Sequence, residues 1–501
     1  MAVTALSFAT VTLASLVTFG FVSFSLYVLY QHWRYRHIPG PARDGFFTGN
    51  LVFIRKEKKR VPGRGMTVIW YNWYHEYGSV YVMWIYHVPV AILSDPDSAK
   101  KALVTLNLPK AHRVYSLLSY VFGQRAVGRS ILTELDHEVW SRKRNMLNPA
   151  FHRKYLMNLM DAFNSVGDGF LEKLSQLADG STPVKMVDEF ARVTLDIIGK
   201  VGFNIDLDTI RNPASEFPTA VSKVLEGIEA SFQNPFWMFN VSMFPYQNSV
   251  IKAIKFLRNF ATEVIKERCL ALKNGAETPK DVLEHILKEA TTNPDLDIED
   301  LVDNFLTVFI AGQETTSNQL SFTLYEILKH PEIEERILDE IEEVLGCHRH
   351  VDYEDLSKLQ YLDQTLKESL RIHPPIYSTQ RIMQKEENFG GYKLPAKTCV
   401  VVSGYVIQKS AEFWESPDVF DPDRFSPARK DSISQAKYFP FSLGPRTCIG
   451  KTLAQFEAKV LMARVLREFK FELLPGQTAE VMANLTLRPR DGVICTLTHR
   501  K

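Results

Sequence analysis

Cys448 sits in a setting that could turn its thiol into a metal-binding thiolate. It belongs to the run Phe441, Ser442, Leu443, Gly444, Pro445, Arg446, Thr447, Cys448, Ile449, Gly450. Glycines at 444 and 450 suit a tight turn and a close backbone approach to a flat cofactor. From Ile449 the pattern predicts a helix to about Arg467. Cys448 would then lie at a helix N-terminus, where free N–H groups and the macrodipole favour a thiolate. Arg446 stands where it could reach an acidic group of such a cofactor. A cysteine is most often a small buried hydrophobe, and it is the surrounding run that argues otherwise. Gly444 to Thr452 also imitates a phosphate loop, but five residues separate the two glycines and Pro445 takes a glycine position, so that reading is excluded.

Three further groups of residues could support chemistry at that cysteine. Ala311, Gly312, Gln313, Glu314, Thr315 and Thr316 fall inside a long helical stretch, 299–329. Small residues at 311 and 312 would open a gap in the helix face. A mid-helix threonine can turn its hydroxyl to the carbonyl four residues back, here Ala311, and bend the helix there. Glu314 and Thr315 would make an acid–alcohol pair able to relay protons. Glu368 and Arg371 share a helix face and can pair, an arrangement that on a surface is worth little. Trp140 and Arg144 likewise share a face within Trp140, Ser141, Arg142, Lys143, Arg144.

Together these segments, in this order and spacing, resemble the cytochrome P-450 superfamily over essentially all of residues 38–501. The resemblance implies haem b with Cys448 as axial thiolate ligand, held by a loop that includes Phe441 and Gly450. It implies that Trp140, Arg144, Arg446 and Arg381 face the haem propionates, and that Glu368 and Arg371 form a buried structural network with Arg424. Ala311 and Gly312 would leave room for a diatomic ligand, while Thr315 and Glu314 would serve catalysis. The reaction implied is a monooxygenase reaction on a lipophilic substrate, with O2 and with NADPH-cytochrome reductase as electron donor. Arg142, Lys143, Lys437 and Lys451 would lie on the cysteine side of the haem and could dock that reductase.

Within the superfamily the chain is most similar to members that hydroxylate the side chain of cholesterol, the 24-hydroxylases. His37–Pro41, Leu225–Ile228, Asp303–Thr315, Asp355–Arg371, Tyr438–Gly450 and Leu474–Gln477 carry that likeness, which implies a sterol substrate. Ile376, Tyr377, Ser378, Thr379 and Gln380 depart from it. A haem-thiolate isomerase of lipid peroxides would not need Glu314 and Thr315. A non-catalytic haem sensor would not need Ala311 and Gly312.

The elements that must position these residues read as mainly α with a minor β portion. Helical periodicity covers roughly 135–178, 185–205, 215–231, 250–273, 279–291, 299–329, 331–345 and 355–372, and β-prone runs occur at 80–93, 398–403 and 492–497. Residues 2–33 hold no charged side chain and end in Tyr27, Tyr30 and Trp33, which predicts a membrane anchor over 1–33. A basic, Pro-rich hinge (34–64) would follow, then a catalytic domain over 65–501. Arg34, Arg36, Arg43 and the basic cluster at 55–64 place that domain on the cytoplasmic side, by resemblance at the endoplasmic reticulum.

With 59 basic against 58 acidic residues, the chain has no nucleic-acid-binding signature. Its five cysteines form no CxxC pair, which argues against a disulfide framework or a structural zinc site. Asn240 and Asn484 lie in glycosylation sequons that a cytosolic domain would not use. Phe232, Phe236, Trp237, Phe239 and Phe244 form an aromatic group suited to a lipid-contacting entrance.

Overall fold

A single helix, Ile298–Lys329, runs through the middle of the molecule. The Asp297 carboxylate caps it by accepting the Glu299 N–H, and Glu299 and Asp300 add negative charge to its first turn. It stops at His330 because Pro331 disfavours helical backbone before it, and Pro331 then opens the next helix, Pro331–Leu345. Residues 301–310 and 316–327 are buried all round, as expected of a core helix. Only around Ala311, Gly312, Glu314 and Thr315 does the helix open to space.

The computed structural model describes residues 2–60, 65–234, 236–292, 297–346, 350–478, 480–483 and 485–500. Against the central helix pack Met186–Ile197, Phe244–Lys273, Val282–Thr292, Gln360–Ile372 and Lys451–Glu468, with Met160–Ser175 and Glu216–Gln233 packed on these in turn. A four-stranded sheet lies to one side, in the order Val80–Ile85, Val88–Leu93, Cys399–Ser403, Ser378–Ile382. Val88–Leu93 and Cys399–Ser403 pair in parallel, and the other pairs are antiparallel. A smaller sheet joins Phe469–Leu473, Ile494–His499 and Val184–Lys185, and Val481–Ala483 pairs with Leu487–Pro489 as a hairpin. The fold is mainly helical with a minor sheet portion, as the periodicity implies.

The periodic stretch 135–178 is not one helix. Asp136 caps His137–Leu147, a 3-10 turn follows over Asn148–Phe151, and the chain resumes as Arg153–Met157 and Met160–Ser175. Pro149 has no N–H for a helical ladder and its ring crowds the preceding turn, so the helix ends there.

Ala2–Arg34 forms a helix, and among the described residues Thr10–Arg34 is the one span long and apolar enough to cross a membrane. Its far end is seated on the domain: Val28 is fully buried, and Phe24 stacks on Phe47 with ring centroids 5.8 Å apart. The hinge is docked as well. Pro39 accepts the Val82 N–H at 2.8 Å, and a Cβ on Gly40 would stand 2.1 Å from the Val82 carbonyl oxygen. The hinge also contains a basic helix, Leu51–Arg60, while 61–64 lie outside the described residues.

Buried Asp303 ties the loop before Trp140 to the central helix. It accepts from Arg125 Nη2 at 2.6 Å, from Arg258 Nη1 at 2.8 Å and from the Arg129 N–H at 2.7 Å. Next to it, Asn304 Oδ1 accepts the Ile131 N–H at 2.9 Å.

Candidate active site

The run 441–450 folds as a knot of turns ahead of the helix Lys451–Glu468. The Cys448 N–H donates to the Phe441 carbonyl at 2.9 Å, and the Thr447 hydroxyl donates to the Phe441 and Ser442 carbonyls at 3.1 Å each. Gly444 has φ +73°, and a Cβ there would sit 2.2 Å from the Leu103 carbonyl oxygen, so glycine is required. Gly450 differs from the expectation. Its backbone is ordinary, and an added Cβ would meet only Cys448 Sγ, at 3.9 Å. This glycine keeps the space beside the sulfur clear and imposes no turn.

Cys448 is exposed by surface area, yet burial is the main influence on its thiol. Its sulfur faces open space that the protein surrounds. Burial pushes the thiol pKa up, while the Gly450 and Lys451 N–H groups and the Arg144 and Lys451 charges pull it down. The outcome is a raised value. The helix terminus acts in the expected direction, against the effect of burial.

Beside the loop stands a cluster of cations. Arg446 stacks on the Trp140 ring with 3.9 Å from guanidinium to centroid and donates to the Glu134 carbonyl at 3.1 Å. Arg144 donates to the Thr447 carbonyl at 2.7 Å and lies close enough to Cys448 to feel its charge. Arg381, on the strand Ser378–Ile382, is buried and donates to Thr379 Oγ1 at 2.6 Å and to the Gln380 carbonyl at 2.9 Å. The sequence reading missed Lys110. It is bridged to Arg381 across the backbone, donates to the Leu132 carbonyl and lies over the Tyr115 ring at 4.4 Å. Nothing local marks it, because its partner is far away in sequence.

Lys110, Arg381 and Arg446 repel one another. Burial pushes the Lys110 pKa well down, and the two guanidiniums push it further. Arg446 is lowered to about 10 by burial and then by Arg381. Their hydrogen bonds go to neutral oxygens, so the chemistry of this donor set suits an anion. Two carboxylates on the edge of a flat cofactor would complete it. Trp140, Arg144, Arg381, Phe441, Arg446, Cys448 and Gly450 are therefore brought together as expected, with Lys110 added.

On the central helix, Thr315 Oγ1 donates to the Ala311 carbonyl at 2.9 Å, the bond predicted for that position. Two details differ from expectation. A Cβ on Gly312 would meet the Ile198 side chain at 2.9 Å, so Gly312 is small for helix packing, while Ala311 is the exposed residue of this stretch. Glu314 and Thr315 also do not touch. Successive helix residues point about 100° apart, and the Glu314 carboxylate turns to Thr486 at 2.9 Å and Asn318 at 3.3 Å.

Glu368, Arg371 and Arg424 form the expected buried network. Arg371 grips the carboxylate with two bonds of 2.8 Å, and Arg424 Nε adds one of 3.2 Å. Of the four cations expected to dock a reductase, Arg142 and Lys451 are exposed and Lys437 is half-buried. Lys143 is buried, 3.8 Å from Glu134 and bonded to the Arg129 carbonyl, so it cannot meet a partner. The aromatic group is split. Phe236 and Phe239 are 65% and 79% exposed and Phe244 is also exposed, whereas Trp237 packs on Phe122 at 5.4 Å and Phe232 lies against the core.

A family model described as Cytochrome P450 matches residues 39–496. Among curated proteins, Cytochrome P450 4d2 of Drosophila melanogaster is 31% identical over 500 residues, covering 94% of this chain and 96% of that protein. Cytochrome P450 3A29 of Sus scrofa is 28% identical over 505 residues, with the same two coverages. Cytochrome P450 3A7 of Homo sapiens is 28% identical over 474 residues, covering 89% of each chain.

Proposed function

The chain belongs to the cytochrome P450 family, and on that premise we propose that it hydroxylates a lipophilic substrate drawn from a membrane, most specifically the side chain of a sterol. Members of the family are monooxygenases that use haem with an axial cysteine thiolate, O2, a lipophilic substrate and a redox-partner reductase. The single observation that supports this placement of the haem is the cluster of Lys110, Arg381 and Arg446 beside the loop of Cys448, a cationic donor set suited to carboxylates.

Bound haem supplies activation of O2 and insertion of one oxygen atom into a C–H bond, the other atom leaving as water. The residues of the chain do the rest. Cys448 ligates the iron, and Trp140, Arg144, Arg381, Arg446 and Lys110 hold the propionate edge. Ala311 keeps the facing helix open. Thr315, its hydroxyl proton directed to the Ala311 carbonyl, offers an acceptor oxygen at the wall of that opening, and Glu314 connects it to a proton source.

Two features support a membrane-derived substrate. The anchor helix and the exposed Phe236, Met238, Phe239 and Val241 give the protein two apolar faces that water does not favour. The sterol assignment draws on the segments 37–41, 225–228, 303–315, 355–371, 438–450 and 474–477. The proposed setting is the endoplasmic reticulum, with the catalytic domain facing the cytoplasm and electrons arriving from NADPH-cytochrome reductase.

The deciding experiment is a spin-shift titration of the purified haem protein with a panel of sterols, followed by turnover with reductase and product identification. Saturable shifts with cholesterol and a side-chain alcohol as product are expected. Shifts and products only with non-sterol lipids would end the sterol assignment and leave the monooxygenase intact. Thr315→Ala should keep its haem and lose NADPH to hydrogen peroxide; unchanged coupling would remove Thr315 from the mechanism.

A further inference from the structure

The carboxylate of Glu314 is held in a closed ring of hydrogen bonds. Asn318, one turn further along the same helix, donates through Nδ2 to Glu314 Oε1 at 3.3 Å and to Thr486 Oγ1 at 3.2 Å. Thr486 Oγ1 in turn donates to Glu314 Oε1 at 2.9 Å. Asn318 and Thr486 are both buried. Their directions are forced. An amide nitrogen only donates, so Thr486 accepts from it and has its one proton left for Glu314. Oε1 therefore receives two hydrogen bonds and has no room for a proton of its own. Oε2 takes no hydrogen bond among the described residues.

Thr486 is a firm anchor. It precedes the strand Leu487–Pro489, whose buried Leu487 donates its N–H to the Pro375 carbonyl at 2.9 Å. The hairpin is thus fixed to the segment that leads into the sheet. Glu314 itself is only half-buried, so its carboxylate stands between this anchor and the open part of the central helix.

We infer that Thr486 and Asn318 are positioning residues for proton transfer through Glu314, holding Oε1 as an acceptor so that Oε2 alone takes up and releases the proton. The inference rests on the reading of Glu314 as the acid of the proposed reaction. In each passage an O–H bond forms at Oε2 with a proton from solvent and breaks as that proton moves toward the hydroxyl and water at the helix opening. The carboxylate is regenerated, and no electrons move through it. Without the ring the side chain rotates, and proton delivery loses its timing against electron delivery.

The test uses the full-length, haem-loaded protein with reductase, comparing wild type, Thr486→Val, Thr486→Ser, Glu314→Gln and the double variant Thr486→Val with Glu314→Gln. Thr486→Val should lower product formed per NADPH roughly tenfold, the effect of losing one hydrogen bond to a charged group. Thr486→Ser restores the coupling. In the Glu314→Gln background Thr486→Val should add nothing. Equal losses in both backgrounds would overturn the inference and make Thr486 a substrate or folding contact. Full coupling in Glu314→Gln would instead remove Glu314 as the acid, and the inference with it. Hydrogen exchange supplies a readout without turnover: the Leu487 amide should exchange faster in Thr486→Val, and unchanged exchange would mean that the ring does not brace the hairpin.

Discussion

Two buried charge clusters in this protein are built on opposite principles. In the first, Arg371 and Arg424 surround one carboxylate, and their remaining N–H groups are spent on the carbonyls of Gln408, Pro417, Glu415 and Ser416. In the second, Lys110, Arg381 and Arg446 stand together, their hydrogen bonds go to neutral oxygens, and the one carboxylate charge felt by Arg446 is that of Glu134. The first is complete within the chain, and its role ends at holding the helix Gln360–Ile372 against the segment 415–425. The second costs the haem-free protein stability, because three like charges are kept out of water with little opposite charge to balance them. On the proposed function, balanced charge marks architecture and unbalanced charge marks the haem site.

The strongest way to test that contrast is to damage the complete cluster. Glu368→Gln leaves two buried guanidiniums facing a neutral amide, at a cost of about 3–5 kcal/mol. Thermal unfolding and the yield of haem-loaded protein should both collapse, and a near-normal melting midpoint would show that the network is not structural. Cys448→Ala should be next in size, and different in kind. Removing an interior thiol beside open space leaves the fold in place, yet the reduced, CO-treated protein should lose its thiolate-type Soret band. That band at its normal position would rule out Cys448 as the ligand.

Damage to the incomplete cluster should carry opposite signs in the two states of the protein. Lys110→Met removes a buried cation from two others, so the haem-free chain should gain about 1 kcal/mol of stability. The loaded protein should lose a charge-assisted contact to a propionate, and haem should transfer to an acceptor protein about tenfold faster. Denaturant unfolding of the first state and haem-transfer kinetics of the second check the pair. A loss of stability in both states would mean that Lys110 belongs with the structural cluster.

How far the sequence revealed these sites follows from how locally each is encoded. The loop of Cys448, the bond from Thr315 to Ala311 and the pairing of Glu368 with Arg371 all lie within a few residues, and all were legible. Lys110 was not, because its meaning comes from a bridge to Arg381 in a distant strand. Nor was the ring at Glu314, since Thr486 is 172 residues away. Gly312 was read as open space for want of its partner, Ile198. Lys143 could have been placed correctly. It lies three residues after Trp140, on the same inward helix face, whereas the run of basic residues suggested a surface patch.

The smallest predicted effect concerns pH and the same lysine. In the folded, haem-free chain the Lys110 pKa lies well below its ordinary value of 10.5. Between those two values the unfolded chain binds the proton and the folded chain does not, so stability rises with pH across that window. One such group contributes at most about 1.4 kcal/mol per pH unit. Buried Tyr81 and Cys495, whose pKa values are raised, act in the opposite direction as pH climbs. The informative quantity is therefore the difference between wild type and Lys110→Met, measured as unfolding free energy from pH 7 upward. That difference should narrow as pH rises in the haem-free chain, because the unfolded lysine approaches its own pKa and folding costs it less to give up the proton. In the loaded protein the propionates hold the proton on Lys110, so the wild-type advantage should instead shrink only once the lysine finally deprotonates at higher pH. Identical pH dependence in the two states would mean that no anion reaches Lys110, and the socket would have to be redrawn around Arg381 and Arg446 alone.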